Sequence, residues 1–136
     1  MAQLFDDLLE DVEGVFATIE WKATKIPMFP TNYQGKLNGI EEYGMLNVLP
    51  SSSKHHSYGG GKQISGLIAI KLFVPAGHGQ LRLMAISDIL DTHLDSKVLP
   101  NETRLGTSYL NVEGLDSSNS SLYSATYFIP FTLYGE

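Results

Sequence analysis

The side chains that could do chemistry are few, and their spacing restricts each of them. His55 and His56 could bind zinc or copper through their imidazoles, but adjacent residues of an extended chain point to opposite sides and no third ligand follows at a helical spacing. The pair reads as part of a solvated loop. Gly59, Gly60 and Gly61 before Lys62 invite comparison with a phosphate cradle. That motif needs glycine five residues before its Gly-Lys pair and Ser or Thr after it, where this chain has His56 and Gln63. Gly77-His78-Gly79 precedes a helical pattern and could form an anion nest, but so short a motif reads as a turn.

Nucleophilic catalysis finds no better footing. No Gly-x-Ser-x-Gly elbow occurs, and Ser87, Asp88, Asp91 and His93 sit on one helical segment, which rarely presents nucleophile, base and orienter convergently. Glu41 and Glu42 are paired carboxylates without the aromatic cleft a glycosidase needs. The chain has no cysteine, which excludes thiol chemistry, disulfides and cysteine-ligated metals. The residues therefore predict no catalytic site, no metal and no cofactor.

The elements around these residues follow from periodicity. Leu4, Phe5, Leu8, Leu9, Val12, Val15, Phe16 and Ile19 recur at threes and fours with acids between them, predicting an amphipathic helix that ends or bends near Gly14. Pro27 and Pro30 forbid a central strand and predict an edge or arm within a connection spanning about 20–40. Tyr43 to Leu49 alternates as a strand, and Pro50 closes it. The twelve residues 51–62 hold little to bury and predict a long hairpin loop.

Ile64, Ile68, Ile70, Leu72 and Val74 share one face of the best strand, 63–74, while Leu67, Ala69 and Phe73 partly furnish the other; this predicts a central strand covered on both sides. A helix is expected over about 79–95, carried by Leu83, Ile86, Ile89, Leu90 and Leu94, with Asp88, Asp91 and Asp95 along one side. Strands follow at 105–112 and 122–134, and Pro130 in the last argues for an edge or a bulge. The sum is an α+β single domain over 1–136: an antiparallel or mixed sheet of about four to five strands with two helices on one face. The second face of the last strand, with Phe128 and Tyr134 among hydroxyls, has the character of a subunit contact.

Composition sets the outer limits. At 136 residues, 43% apolar and 18% charged, the chain has the size of one domain and enough apolar mass for a core. The net charge of -6 is concentrated in Asp6, Asp7, Glu10, Asp11 and Glu13; the other ten acids nearly balance nine bases, and no basic cluster exists to grip phosphates. The longest apolar run, Leu67 to Val74, is broken by Lys71 and falls far short of a membrane span, and the first residues lack a signal-like core. A protein made in the cytoplasm, without a membrane partner, is expected.

Four segments carry a resemblance: Ile70-Lys71-Leu72-Phe73-Val74-Pro75-Ala76-Gly77, the helical run from Leu83 to Asp91, Gly106-Thr107-Ser108-Tyr109-Leu110, and the stretch from Leu122 to Phe131. In this order, with an aromatic C-terminus, the second half of the chain resembles the tail terminator, or tail completion, proteins of long-tailed bacteriophages, the group that includes the lambda tail terminator. The resemblance implies a non-enzymatic virion subunit, assembled in the host cytoplasm. Six copies would form a ring on the head-proximal end of the tail tube, end its growth and offer a face to the head-tail connector. The implied partners are further copies of the chain, the major tail tube protein and the connector, with DNA only passing through the lumen. In that frame the loop residues Lys54, His55, His56, Tyr58 and Lys62 are candidates for docking to tube or connector. Asp88, Asp91, Asp95, Phe128 and Tyr134 are candidates for the subunit contact. The runner-up is a neighbouring connector or tube component, or a small-ligand binding module with Tyr109, Tyr123 and Tyr127 lining a pocket.

Overall fold

A computed structural model describes residues 4–24, 26–30, 42–55, 62–75, 79–100, 103–115 and 122–135. The first helix, α1 (Leu4–Phe16), passes through Gly14, where a Cβ would meet nothing within 4 Å, and ends two residues later. Leu8, Val12 and Val15 enter the core. Asp11 falls on the same stripe and is also buried, so not every acid of this helix is solvated. Its carboxylate accepts hydrogen bonds from the Thr103 hydroxyl (2.6 Å) and the Thr103 amide (3.3 Å), which offset the cost of burying it.

The apolar stripe does not continue to Ile19 as the periodicity predicts. Thr18 accepts a hydrogen bond from the Trp21 amide and starts a separate turn, α2 (Ile19–Lys22). The change of direction leaves Ile19 84% exposed and buries Trp21, whose indole N–H donates to the Ile26 carbonyl at 3.1 Å.

The sheet contains β1 (Met28–Pro30), β2 (Tyr43–His55), β3 (Lys62–Pro75), β4 (Arg104–Leu105), β5 (Tyr109–Leu115) and β6 (Leu122–Gly135). Its order is β1-β2-β3-β6, with β4 and β5 both pairing with β6, so the described strands number six. The pairing is antiparallel throughout except that β1 runs parallel to β2 at the edge, where the two prolines confine it. The predicted strand over 105–112 is two strands, broken at 106–108.

Two expectations about β2, β3 and β6 are corrected. Pro50 does not end β2; a bulge between Pro50 and Ser52 absorbs it, and pairing resumes through Ser52↔Ser65 to His55↔Lys62. The bulge brings the backbone of Leu49 to Ser51 against Gly66, where a Cβ would stand 2.8 Å from both Pro50 Cα and Ser51 N; only glycine fits. Pro130 lies in a central strand and costs no bond to β3. Its carbonyl accepts from the Gly106 amide (2.9 Å), so its nitrogen faces the same side, into the gap between β5 and β4.

The third helix, α3 (Gly79–Leu94), lies with α1 on one face of the sheet. Between the layers, Ile64, Ile68, Ile70, Leu72 and Val74 of β3 meet Leu133, Ile129, Tyr127, Ala125 and Tyr123 of β6 across the ladder, and Leu83, Ile86, Leu90 and Leu94 close over them. This is the hydrophobic core. A bidentate pair from Arg82 to Glu42 (2.5 and 2.8 Å) ties the start of α3 to the start of β2, and that hydrogen bond holds the guanidinium pKa above its ordinary value.

Candidate interaction surfaces

The helix-free face of the sheet is the most distinctive surface among the described residues. Side chains alternate along each strand, so the register assigns its members in rows. One row runs Leu49, Leu67, Pro130; the next runs Asn47, Ala69, Phe128, Tyr109; the third runs Met45, Lys71, Thr126, Asn111. Six of the seven residues in the first two rows are apolar or aromatic. Leu67, Ala69, Phe128 and Pro130 are half-buried, while Leu49 is 42% and Tyr109 53% exposed. Strand β3 is central, and its double cover is uneven: on the helix-free side Phe73 is buried beside Tyr43 and Ser124, whereas Leu67 and Ala69 keep partial exposure.

Aromatic contacts stiffen this face at both ends. Tyr109 stacks on Phe128 with ring centroids 5.0 Å apart, and Tyr43 stacks on Phe73 at 4.7 Å. The Lys71 ammonium lies 5.3 Å from the Phe73 centroid, a cation held at the border of the apolar rows.

The acidic row of α3 divides. Asp88 is exposed, whereas Asp91 and Asp95 turn inward to bind the 106–108 connection. Asp91 accepts from the Ser108 hydroxyl and from the Tyr127 hydroxyl, each at 2.5 Å, and Asp95 accepts from the Ser108 amide at 3.0 Å. Burial, and then the bond to Asp91, raise the Tyr127 pKa well above the ordinary tyrosine value. These two carboxylates brace the molecule internally, and Ser96, in the left-handed conformation (φ 56°), turns the chain out of α3 beside them.

The candidates on the hairpin are placed in part. Lys54 and His55 end β2 and Lys62 begins β3, with His55 opposite Lys62, so the predicted loop is shorter by the strand residues 51–55 and 62. His56 and Tyr58 lie outside the described residues. Tyr134 pairs with Gln63 near the end of β6, at a register position on the same face as Phe128. The candidate interface residues thus occupy opposite layers: Asp88 on the helices, Phe128 on the bare sheet face.

The chemical alternatives do not converge. Tyr109 stands on the outer sheet face and Tyr123 and Tyr127 on the core face, so the three line no common pocket. Ser87 donates its hydroxyl to the Leu83 carbonyl (2.8 Å), and His93 Nδ1 lies 2.9 Å from the Ile89 carbonyl, with its ring edge-on to Trp21. An open groove of about 290 Å³ runs past Phe16, Trp21, Lys22, Ile26 and Met28, and a second of about 280 Å³ adjoins it toward Phe29 and Leu46. Both have mixed polar and apolar walls, and among the described residues Lys22 and Glu13 supply their charges.

Sequence reading missed Leu49, Pro130 and Tyr109 as members of one surface, and Leu81 and Met84 as exposed residues of α3. The signal for the first set lay in the odd positions of β2 and β5 and the even positions of β6, but seeing it requires the register that joins the strands.

No protein-family profile matches the chain, and no curated protein does. Five solved chains match its structure. One of them, known only by a serial designation, covers 98% of this chain over 96% of its own length, with a TM-score of 0.68 and 14% sequence identity. At that identity the likeness shows the fold alone.

Proposed function

We propose that this chain is a structural subunit of the tail-terminator kind, which works by closing a ring of six copies on the head-proximal end of a phage tail tube. In this role it ends tube growth and presents a surface to the head-tail connector. Its partners are its own copies, the major tail tube protein and the connector, and its place is the virion.

The observation that carries the reading is the bare sheet face. Two cross-strand rows of apolar and aromatic side chains, centred on Leu67, Ala69 and Phe128, stay half-exposed on the central strands of a domain whose other face is sealed. Such a patch on rigid strands suits a permanent contact with another protein surface. The two-layer body, the hairpin ending in Lys54, His55 and Lys62, and the net charge of -6 fit a collar through which DNA passes without adhering.

Electron microscopy of tails assembled with and without the purified chain tests this. Capped tails of uniform length are expected with it and overgrown tubes without it; tubes of unchanged length distribution, with no ring at their ends, would contradict the proposal. The hairpin role needs a gentler change than removal of the strand residues Ser53 to His55, which pair with β3 and would unzip the ladder. Replacing residues 56–61 by a short turn should leave a folded chain that no longer caps tubes. Normal capping by that variant would remove the hairpin from the docking surface.

A further inference from the structure

The segment from Arg104 to Leu115 does not match β6 residue for residue. Leu105 stands opposite Phe131 and the Gly106 amide donates to the Pro130 carbonyl, whereas Tyr109 stands opposite Phe128. Thr107 and Ser108 therefore share Ile129 between them. Two residues against one make a β-bulge, which moves the register on by one. Beyond it Tyr109 and Asn111 are exposed on the helix-free face, while Leu110 and Val112 pack against the core.

If the register of Arg104 to Gly106 simply continued, Tyr109 would stand opposite Tyr127, Leu110 opposite Thr126 and Asn111 opposite Ala125. Every one of these side chains would change faces. Tyr109 would then leave Phe128, on which its ring now stacks with centroids 5.0 Å apart. The bulge thus decides which aromatic pair the outer face displays.

The two bulges of this segment are held differently. At the second, between Val112 and Gly114, the glycine takes the left-handed conformation (φ 93°) that suits it without strain. The first has no glycine of its own, and its support comes from α3. Asp95 accepts from the Ser108 amide at 3.0 Å and Asp91 from the Ser108 hydroxyl at 2.5 Å. The two acids stand one turn apart, so their carboxylates reach the same residue. Asp91 also accepts from the Tyr127 hydroxyl at 2.5 Å, which ties the acceptor to β6, the strand against which the register is counted. In the continued register Ser108 would lie opposite Phe128, on the far side of the sheet from both acids.

We propose that Asp91 and Asp95 form a register lock. They hold Ser108 on the helix side, keep the bulge in place and so position Tyr109 on Phe128 in the opposite layer. Both are positioning residues, and the outer face is set from the helix layer through one strand. The lock goes beyond the ring reading and does not depend on it; within that reading, the bulged register is the one that displays the associating surface.

Nuclear magnetic resonance of the full-length chain reads the register from backbone contacts across the strands, and a thermal melt of each variant shows that it is folded. The wild-type chain should show Leu110 facing Tyr127. Asp95→Ala with Ser108→Ala spares the bond from Tyr127 to Asp91; this variant should lose most of the Leu110–Tyr127 contact and gain one between Leu110 and Thr126. Asp95→Asn with Ser108→Thr keeps an acceptor and a hydroxyl and should restore the wild-type pattern. Unchanged contacts in the alanine variant would overturn the lock, whatever its melting temperature. Deleting Thr107 removes the extra residue, so that Tyr109 faces Phe128 with no bulge to hold. In that background the same alanine changes should leave the Leu110–Tyr127 contact intact. Its loss there too, or unfolding of that chain, would show that the fold at large needs Asp95 and Ser108, and would overturn the proposal. A wild-type chain that stays single at every concentration would overturn the ring reading and leave these contacts as expected, so the two fail separately.

Discussion

Leu67 and Ile68 are neighbours on the same central strand and have nearly the same volume, yet Ile68 is wholly sealed while Leu67 remains half-exposed. The difference belongs to the face and not to the residue type. On the helix side of β3 and β6, α1 and α3 complete the burial and the apolar side chains stabilise the fold. On the other side, side chains of similar chemistry are arranged in equally regular rows, but no described helix lies over them. One face holds the domain together, and the other has apolar character to spare for an association.

Mutations on the two faces should therefore differ in kind. The largest effect is expected at Ile68→Ala, where the lost side chain leaves a cavity in a dry core; urea unfolding should show a loss of about 4 kcal/mol. A loss below about 1 kcal/mol would mean that the helix-side core is loosely packed. Next comes Gly66→Ala, which forces a methyl group into the backbone of the β2 bulge and should cost about 2–3 kcal/mol. A neutral result would show that the bulge can relax.

The Asp91 brace is a smaller and more specific case. Asp91→Ala leaves the buried Tyr127 hydroxyl without its acceptor and should destabilise the monomer by about 2 kcal/mol. Its pH signature has a defined sign. An unfolded tyrosine ionises near pH ~10, whereas Tyr127 in the fold keeps its proton to a higher pH. Above about pH 10 the unfolded chain has lost a proton that the folded chain retains, so stability falls as pH rises. Tyr127→Phe should flatten that fall; an unchanged slope would remove Tyr127 as its source. The smallest effect is expected at Leu67→Ala, below about 1 kcal/mol for the monomer, with a clear loss of self-association. A cost equal to that of Ile68→Ala would make the outer face a second core.

Much of this contrast was legible in the sequence. The alternation from Ile64 to Val74 and from Tyr123 to Leu133 identified the inner face, the 3.6 period identified α3, and Pro27 and Pro30 placed an edge. What the sequence hid depended on partners distant along the chain. Pro50 reads as a strand end because its accommodation depends on Gly66, sixteen residues on. Pro130 reads as an edge signal because the gap that receives its nitrogen lies between two other strands. Asp11 reads as one acid of a solvated helix face, and Asp91 as a candidate for the subunit contact, until Thr103, Ser108 and Tyr127 arrive from other elements. The surface candidates were half visible for the same reason: Phe128 could be picked from its strand, but Tyr109, Leu67 and Leu49 join it only through the register.

The central claim is that the bare sheet face serves association between copies of this chain. The most direct measurement is the solution mass of the purified wild-type chain across a wide concentration range, by light scattering coupled to size exclusion. The account predicts a species of about six times the 15.0 kDa of one chain, which dissociates when Leu67 is changed to Glu while the melting temperature of the monomer holds. A mass of one chain at every concentration, with tail tubes present or absent, would contradict it.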